Sequence, residues 1–220
     1  MPKKREKKKR QPNKRILILC EGEKTEPYYF QGLKSDKYTR NKLSALRIEI
    51  SDTKKNTAKE LVIEAKQFKK NAEREKNPYD NIWVVFDKDG YSKHPQAFDQ
   101  ANSNDIRIAF SSISFEFWFL LHFQYTTKVF KKADDVINFL KNNKFMPDYE
   151  KNNNNYSILK DKTDLAIANA KKLRINVHDI DDGIKTNDKK LQQNYSKVNK
   201  VYNLNPYTDV DILVNQLLKL

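Results

Sequence analysis

Acidic residues placed directly after short apolar runs are the most chemically suggestive feature of this sequence. Glu21 follows Ile16-Leu17-Ile18-Leu19-Cys20, and Asp87 and Asp89 follow Ile82-Trp83-Val84-Val85-Phe86. A carboxylate at the exit of a buried strand lies at the crevice where open parallel sheets bind ligands. A D-x-D pair in such an exit loop can aim both carboxylates at one cation. Hard Mg²⁺ takes oxygen ligands, commonly one or two carboxylates plus substrate phosphate. Three acids in one crevice repel one another and acquire raised pKa values unless a cation fills the gap. Out of context, the same D-x-D is also a common turn.

Glu116 is a fourth acid of interest, because Phe115, Phe117, Trp118, Phe119, Leu120 and Leu121 surround it. A lone buried carboxylate is costly. Glu116 therefore ligates a metal, pairs with a base such as Arg107, or caps a helix end. Lys24 and Lys88 stand beside the acids and could hold phosphate, or could simply balance local charge. The expected chemistry is metal-assisted phosphodiester hydrolysis: Mg²⁺ (or Mn²⁺) on Asp87 and Asp89, with Glu21 holding a second ion or moving a proton.

Two other classes compete. Phe86-Asp87-Lys88-Asp89-Gly90 also resembles the first motif of haloacid-dehalogenase-type phosphatases, with Asp87 as nucleophile, Asp89 as acid, Ser111 as phosphate-binding hydroxyl and Asp181-Asp182 as a later acidic pair. That motif normally opens its domain, however, and here two strands come first. The third class is a non-catalytic, basic nucleic-acid-binding module, with Tyr28, Tyr29 and Tyr125 stacking on bases.

The elements that must position these residues follow from periodicity. The two apolar runs do not alternate, so they suit strands buried on both faces. Leu46-Arg47-Ile48-Glu49-Ile50 alternates, as a half-covered edge strand should, and Ile106–Phe110 reads as a further strand. Thr25-Glu26-Pro27 opens a helix. Thr57-Ala58-Lys59-Glu60 is a capping box, followed by an apolar stripe of Ala58, Leu61, Val62, Ala65, Phe68 and Ala72 that ends at Asn77-Pro78. Ala97, Phe98 and Ala101 suit a short helix, and the run from Phe115 to Phe123 a buried one. The alternation implies an α/β fold, with a mostly parallel sheet sandwiched by helices. Beyond about residue 125 the strand signal fades. Val136, Ile137 and Leu140 fit one helix, and Leu191, Tyr195, Val198 and Tyr202 another. A second capping box, Thr208-Asp209-Val210-Asp211, opens a terminal helix. Asn152-Asn153-Asn154-Asn155 reads as a loop.

Charge adds a partner. The 220 residues carry a formal net charge of +14, and residues 1–15 contribute +8 of it, nine Lys/Arg against Glu6. Such a block repels itself and should be disordered. Lys7, Lys8, Lys9 and Arg10 then form an arm that contacts the phosphates of nucleic acid, DNA or RNA. The layout is a basic arm at 1–15, an α/β core at 16–125 and a helical C-terminal portion at 126–220. No run approaches about 18 apolar residues, and no apolar segment follows the N-terminal charges, so a cytoplasmic protein is expected. A single cysteine, Cys20, excludes a disulfide framework and a multi-cysteine zinc site, and three scattered histidines argue against a His-only metal site. Four glycines leave no phosphate-cradling or dinucleotide fingerprint. Cys20 reads as an inert core thiol and His122 as a core histidine.

Four segments resemble the RloB-like family of bacterial proteins. They are Cys20-Glu21-Gly22-Glu23-Lys24-Thr25-Glu26-Pro27, Phe86-Asp87-Lys88-Asp89, Ser114-Phe115-Glu116-Phe117-Trp118 with Leu120 to Phe123, and Asn205-Pro206-Tyr207-Thr208-Asp209-Val210. The resemblance spans about 16–218. It implies a Toprim-like α/β fold, the one shared by topoisomerases, primases and related nucleases. Glu21 would match the Toprim glutamate, an acid/base or metal ligand. Asp87 and Asp89 would match the Mg²⁺-binding D-x-D, and Glu116 would be an added metal ligand or a structural acid. Related genes lie near restriction systems, which implies phage defence, with a companion defence protein as a further candidate partner. Glu23 and Glu26 lie so close to Glu21 that any of the three can be the working acid.

Overall fold

The computed structural model describes residues 14–36, 46–51, 57–88, 94–180 and 200–219, with backbone only at 46–48 and 51. The chain alternates β1 (Lys14–Cys20), α1 (Thr25–Ser35), β2 (Leu46–Ser51), α2 (Ala58–Arg74), β3 (Asn81–Asp87), α3 (His94–Asn102), β4 (Arg107–Ser112) and α4 (Glu116–Leu121). Its second part adds α5 (Ala133–Asn142), α6 (Tyr156–Leu159), a 3₁₀ turn (Lys160–Lys162), α7 (Thr163–His178), a 3₁₀ turn (Val201–Asn203), β5 (Tyr207–Thr208) and α8 (Val210–Lys219).

The sheet order is β2-β1-β3-β4-β5. The first four strands are parallel, and β5 runs antiparallel to β4. This is the expected α/β class, a mostly parallel sheet covered by helices. The apolar runs of β1 and β3 are continuous because both faces are covered. Ile16, Ile18, Trp83, Val85 and Ala109 pack with α1, α4, α5, α7 and α8, whereas Leu17, Leu19, Val84, Phe86 and Phe110 pack with α2 and α3. The chain leaves β1 toward β2 on one side and leaves β3 toward β4 on the other. The order therefore reverses between β1 and β3, and the ligand crevice of an open α/β sheet forms outside the carboxyl ends of the strands at such a point.

Local expectations meet the structure in detail. Thr57 caps α2, its hydroxyl oxygen accepting from the Glu60 amide at 3.3 Å. The return contact differs from the capping-box pattern: the Thr57 hydroxyl donates to the Glu60 carboxylate at 3.0 Å. β1 starts two residues before its apolar run. Arg15 belongs to it, pairing with Glu49 of β2 at 2.9 Å and lying over the Tyr79 ring at 4.1 Å. Residues 1–13, with Lys7 to Arg10, lie outside the described residues, as do 181–199 and most of the helix expected around Leu191 to Tyr202.

The carboxyl-terminal segment departs from the expectation. The expected terminal helix does start at Val210, but Thr208 closes no box with Asp211; it is a strand residue whose hydroxyl donates to the Phe110 carbonyl and accepts from the Val210 amide, each at 3.3 Å. Asp209 turns its carboxylate back onto β4, accepting from the Phe110 amide at 2.5 Å. Burial pushes Asp209 up to about 7. Arg174 of α7 then locks the segment, donating to the Thr208 carbonyl at 2.7 Å and to both oxygens of Asp211 at 2.5 and 2.8 Å. Both charges are buried. Among the described residues no helix is long and apolar enough to cross a membrane.

Candidate active site

Cys20 pairs with Val85 across β1 and β3, and the Glu21 amide donates to the Val85 carbonyl at 2.9 Å. That bond carries the chain one residue past β1 in register, so Glu21 leaves the sheet level with Phe86, one residue short of Asp87 at the end of β3. Asp87 is fixed from its other side: its Oδ2 accepts from the Phe115 amide at 3.2 Å, just before α4. The same turn starts the helix with Glu116. Three chain segments thus deliver acids to one place, and Glu21, Glu23, Glu26, Asp87 and Glu116 line a single open cavity of about 470 Å³.

Glu26 is the acid that reports this crowding. It lies in the first turn of α1, 5% exposed, with its carboxylate packed against Gly22. A Cβ at Gly22 would collide with that carboxylate, so any larger residue there forces the end of the Glu26 side chain to move. Burial above all, and then the Asp87 carboxylate, pushes Glu26 from its ordinary 4.5 up to about 8. Glu116 and Glu21 raise it further, while its own backbone N–H works in the opposite direction. Burial and the neighbouring carboxylates thus favour its neutral form. Of the three glutamates near β1, Glu21 is half-buried, Glu23 exposed and Glu26 buried.

Glu116 is 2% exposed and does not pair with Arg107. Arg107 sits at the opposite end of β4, donating to Gln216 at 3.0 Å. Glu116 instead accepts from the Tyr149 hydroxyl at 2.8 Å and has the Lys151 ammonium at 3.9 Å. Burial, followed by the Glu116 charge, pushes the Tyr149 hydroxyl well above the usual tyrosine range, so it stays protonated and donates. Neither Tyr149 nor Lys151 was singled out from the sequence. The available signal was Met146 and Tyr149, apolar anchors in a polar stretch between helices, both of which the structure buries.

The remaining candidates divide. Lys24 lines the cavity. Lys88 does not; its ammonium donates to the Asn203 carbonyl at 3.3 Å, and burial lowers its pKa. Asp89 lies outside the described residues, as do Asp181 and Asp182. Ser111, beside Asp87 in the β3–β4 register, is fully buried and is not among the described residues lining the cavity. Tyr29 is not available to bases: it is 1% exposed, edge-on to Phe30, Phe115, Trp118 and Tyr156. His122 is a core histidine. Its Nδ1 lies 3.0 Å from the Trp118 carbonyl, which can only accept, so Nε2 is left to accept from the Tyr29 hydroxyl at 3.4 Å. Burial lowers His122 to about 4.

The donor set is all carboxylate, the set a hard divalent cation prefers. Among the described residues, no three Asp, Glu, His or Cys side chains are grouped closely enough to hold a metal ion as they stand. What favours a cation here is donor chemistry and the crowding that an ion would relieve.

Comparison with known proteins agrees with the motif reading. A family model described as RloB-like protein matches residues 16–217. No curated protein and no solved structure matches the chain.

Proposed function

The chain belongs to the RloB-like family, and on that premise we propose that it is a metal-dependent phosphodiesterase acting on nucleic acid, serving bacterial phage defence. One observation carries the reading. Glu21, Glu26, Asp87 and Glu116, from three segments, share one open cavity at the strand-order reversal, with Lys24 at its wall. Crowded carboxylates repel one another, and a bound cation would relieve that repulsion.

The ligand candidates for Mg²⁺ or Mn²⁺ are Glu21, Asp87, Glu116 and Asp89; because no three of the described acids converge on one ion as they stand, binding would draw their carboxylates together. The ion would supply Lewis-acid polarisation of a phosphate oxygen and offset charge growing in the transition state. The protein's own groups do the rest. The Phe115 amide fixes the Asp87 carboxylate. The Tyr149 hydroxyl fixes Glu116. Glu21, half-buried at the cavity wall, would either join the metal ligands or take a proton from an attacking water. Lys24 binds a substrate phosphate. The net charge of +14 favours a polyanionic substrate, and Lys7, Lys8, Lys9 and Arg10 supply further phosphate contacts.

The test is incubation of the full chain with labelled single- and double-stranded DNA and RNA, with Mg²⁺ or Mn²⁺. Cleavage that needs the metal and falls at least about 100-fold in Asp87→Asn supports the proposal. Asparagine keeps an oxygen for the Phe115 amide, so this variant should fold. Intact nucleic acid under every condition, with no metal-induced rise in melting temperature that Asp87→Asn removes, sinks it.

A further inference from the structure

A cavity walled by five acids repels the phosphodiester it is meant to bind, so the cations around it decide whether substrate can enter. One of them comes from the second part of the chain, from the loop between α5 and α6. Lys151 and Asn152 line the same cavity as Glu21 and Asp87. The loop is held where it lies. The Thr25 hydroxyl donates to the Lys151 carbonyl at 3.3 Å, which ties the loop to the first turn of α1. Tyr149, two residues earlier, is 1% exposed and donates to Glu116 at 2.8 Å. The Asn155 side chain donates to the Glu150 and Asn153 carbonyls at 3.0 and 2.9 Å and closes the turn.

Lys151 is anchored by its backbone but not consumed by its charge. Its ammonium stands 3.9 Å from Glu116, at the outer limit of an ion pair, and its side chain is 53% exposed against 3% for Glu116. A pair so loose and so open to water contributes little to stability. It does keep an exposed ammonium at the mouth of the acid cavity. Asn152 adds an amide donor without charge.

We infer that Lys151 and Asn152 form a phosphate-binding wall of the cavity, so that the helical part of the chain completes a site otherwise built by the sheet. The inference rests on the nuclease reading and extends it: Lys151 takes a non-bridging phosphate oxygen of the bound strand, and Asn152 donates to the same phosphate.

The experiment measures binding of fluorescein-labelled single-stranded DNA and RNA oligonucleotides by anisotropy across a salt series, with Ca²⁺ as the cation, for the full chain and its variants. Lys151→Gln should weaken binding about 10-fold and reduce the slope of log K against log salt by about 0.7, the loss of one contact to a single strand. Lys151→Arg should keep the slope. Lys70→Gln removes the same charge from an exposed position on α2 and should leave the slope unchanged. Equal effects of Lys151→Gln and Lys70→Gln, or a Lys151→Gln slope equal to wild type, overturn the inference. Three patterns separate the two claims. Wild-type protein that binds no oligonucleotide overturns both. Binding that Lys151→Gln weakens, in a protein that cleaves nothing, overturns the nuclease alone. Cleavage and binding that Lys151→Gln leaves untouched overturn the phosphate wall alone.

Discussion

The Glu26 carboxylate rests against Gly22 so closely that the glycine's missing side chain is what makes room for it. Gly22→Ala should therefore push the Glu26 carboxylate out of place and cost about 1 kcal/mol, the low end of overpacking, because only the end of a flexible side chain has to move. In a Glu26→Ala background the same change should cost under about 0.5 kcal/mol, because the colliding atoms are gone. Urea unfolding of the four proteins at pH 7 tests the pairing. Additive costs would mean that the two residues do not touch in solution.

Stability should fall with rising pH on the alkaline side of the acid range. The folded state holds the Glu26 proton far more tightly than the unfolded chain, with a pKa of about 8 against 4.5. Its contribution is full below about 4.5 and is lost as pH rises through about 8. Asp209, about 7 against 3.8, has the same sign. Each is worth a few kcal/mol at most. Glu26→Gln and Asp209→Asn should each flatten the fall in unfolding free energy between pH 5 and 8.5, in metal-free buffer. Variants as steep as wild type would refute the assignment.

His122 acts in the opposite sense. Its folded pKa of about 4 lies below the ordinary 6.5, so the unfolded chain takes up protons that the folded one refuses. Its contribution is present above about 6.5 and is lost as pH falls toward 4. His122→Gln should remove that acid-side loss, even though it lowers stability at pH 7. Denaturant titrations at pH 7 and pH 5 give the comparison, with the loss from 7 to 5 smaller in the variant.

Arg174 and Asp211 form a bidentate pair, 2% and 4% exposed, that joins α7 to the start of α8 beside β5. Asp211→Ala leaves a buried guanidinium without its carboxylate and should cost about 3–5 kcal/mol. Arg174→Met with Asp211→Leu should cost clearly less than the two single changes added together. Equal costs would show that the pair is solvated in solution. Thermal or urea unfolding measures both.

Much of this protein was written in its sequence. The unalternating runs at Ile16–Cys20 and Ile82–Phe86 required strands covered on both faces, and their helical partners followed from the Thr57 cap and the 3.6-residue stripes. Acids after such strands pointed to a crevice because strand direction in a parallel sheet is set by local chain geometry. Glu21 and Asp87 were singled out in this way, and Glu116 because it is a lone carboxylate in an apolar run. What pairing between distant segments decides was not legible. β5 is two residues long, too short to carry a period, and exists because Thr208 and Asp209 bond to the backbone of β4. Glu26 resembled any first-turn glutamate until burial against Gly22 and the nearness of Asp87 set its proton affinity. Lys151 lay in an Asn-rich loop with no periodicity, and only the tether to Thr25 and the Tyr149–Glu116 hydrogen bond bring it to the acids. Composition and periodicity report what a segment does with its own backbone and nearest neighbours. The electrostatics of a cavity depend on which segments meet there, and that is fixed by packing across the whole chain.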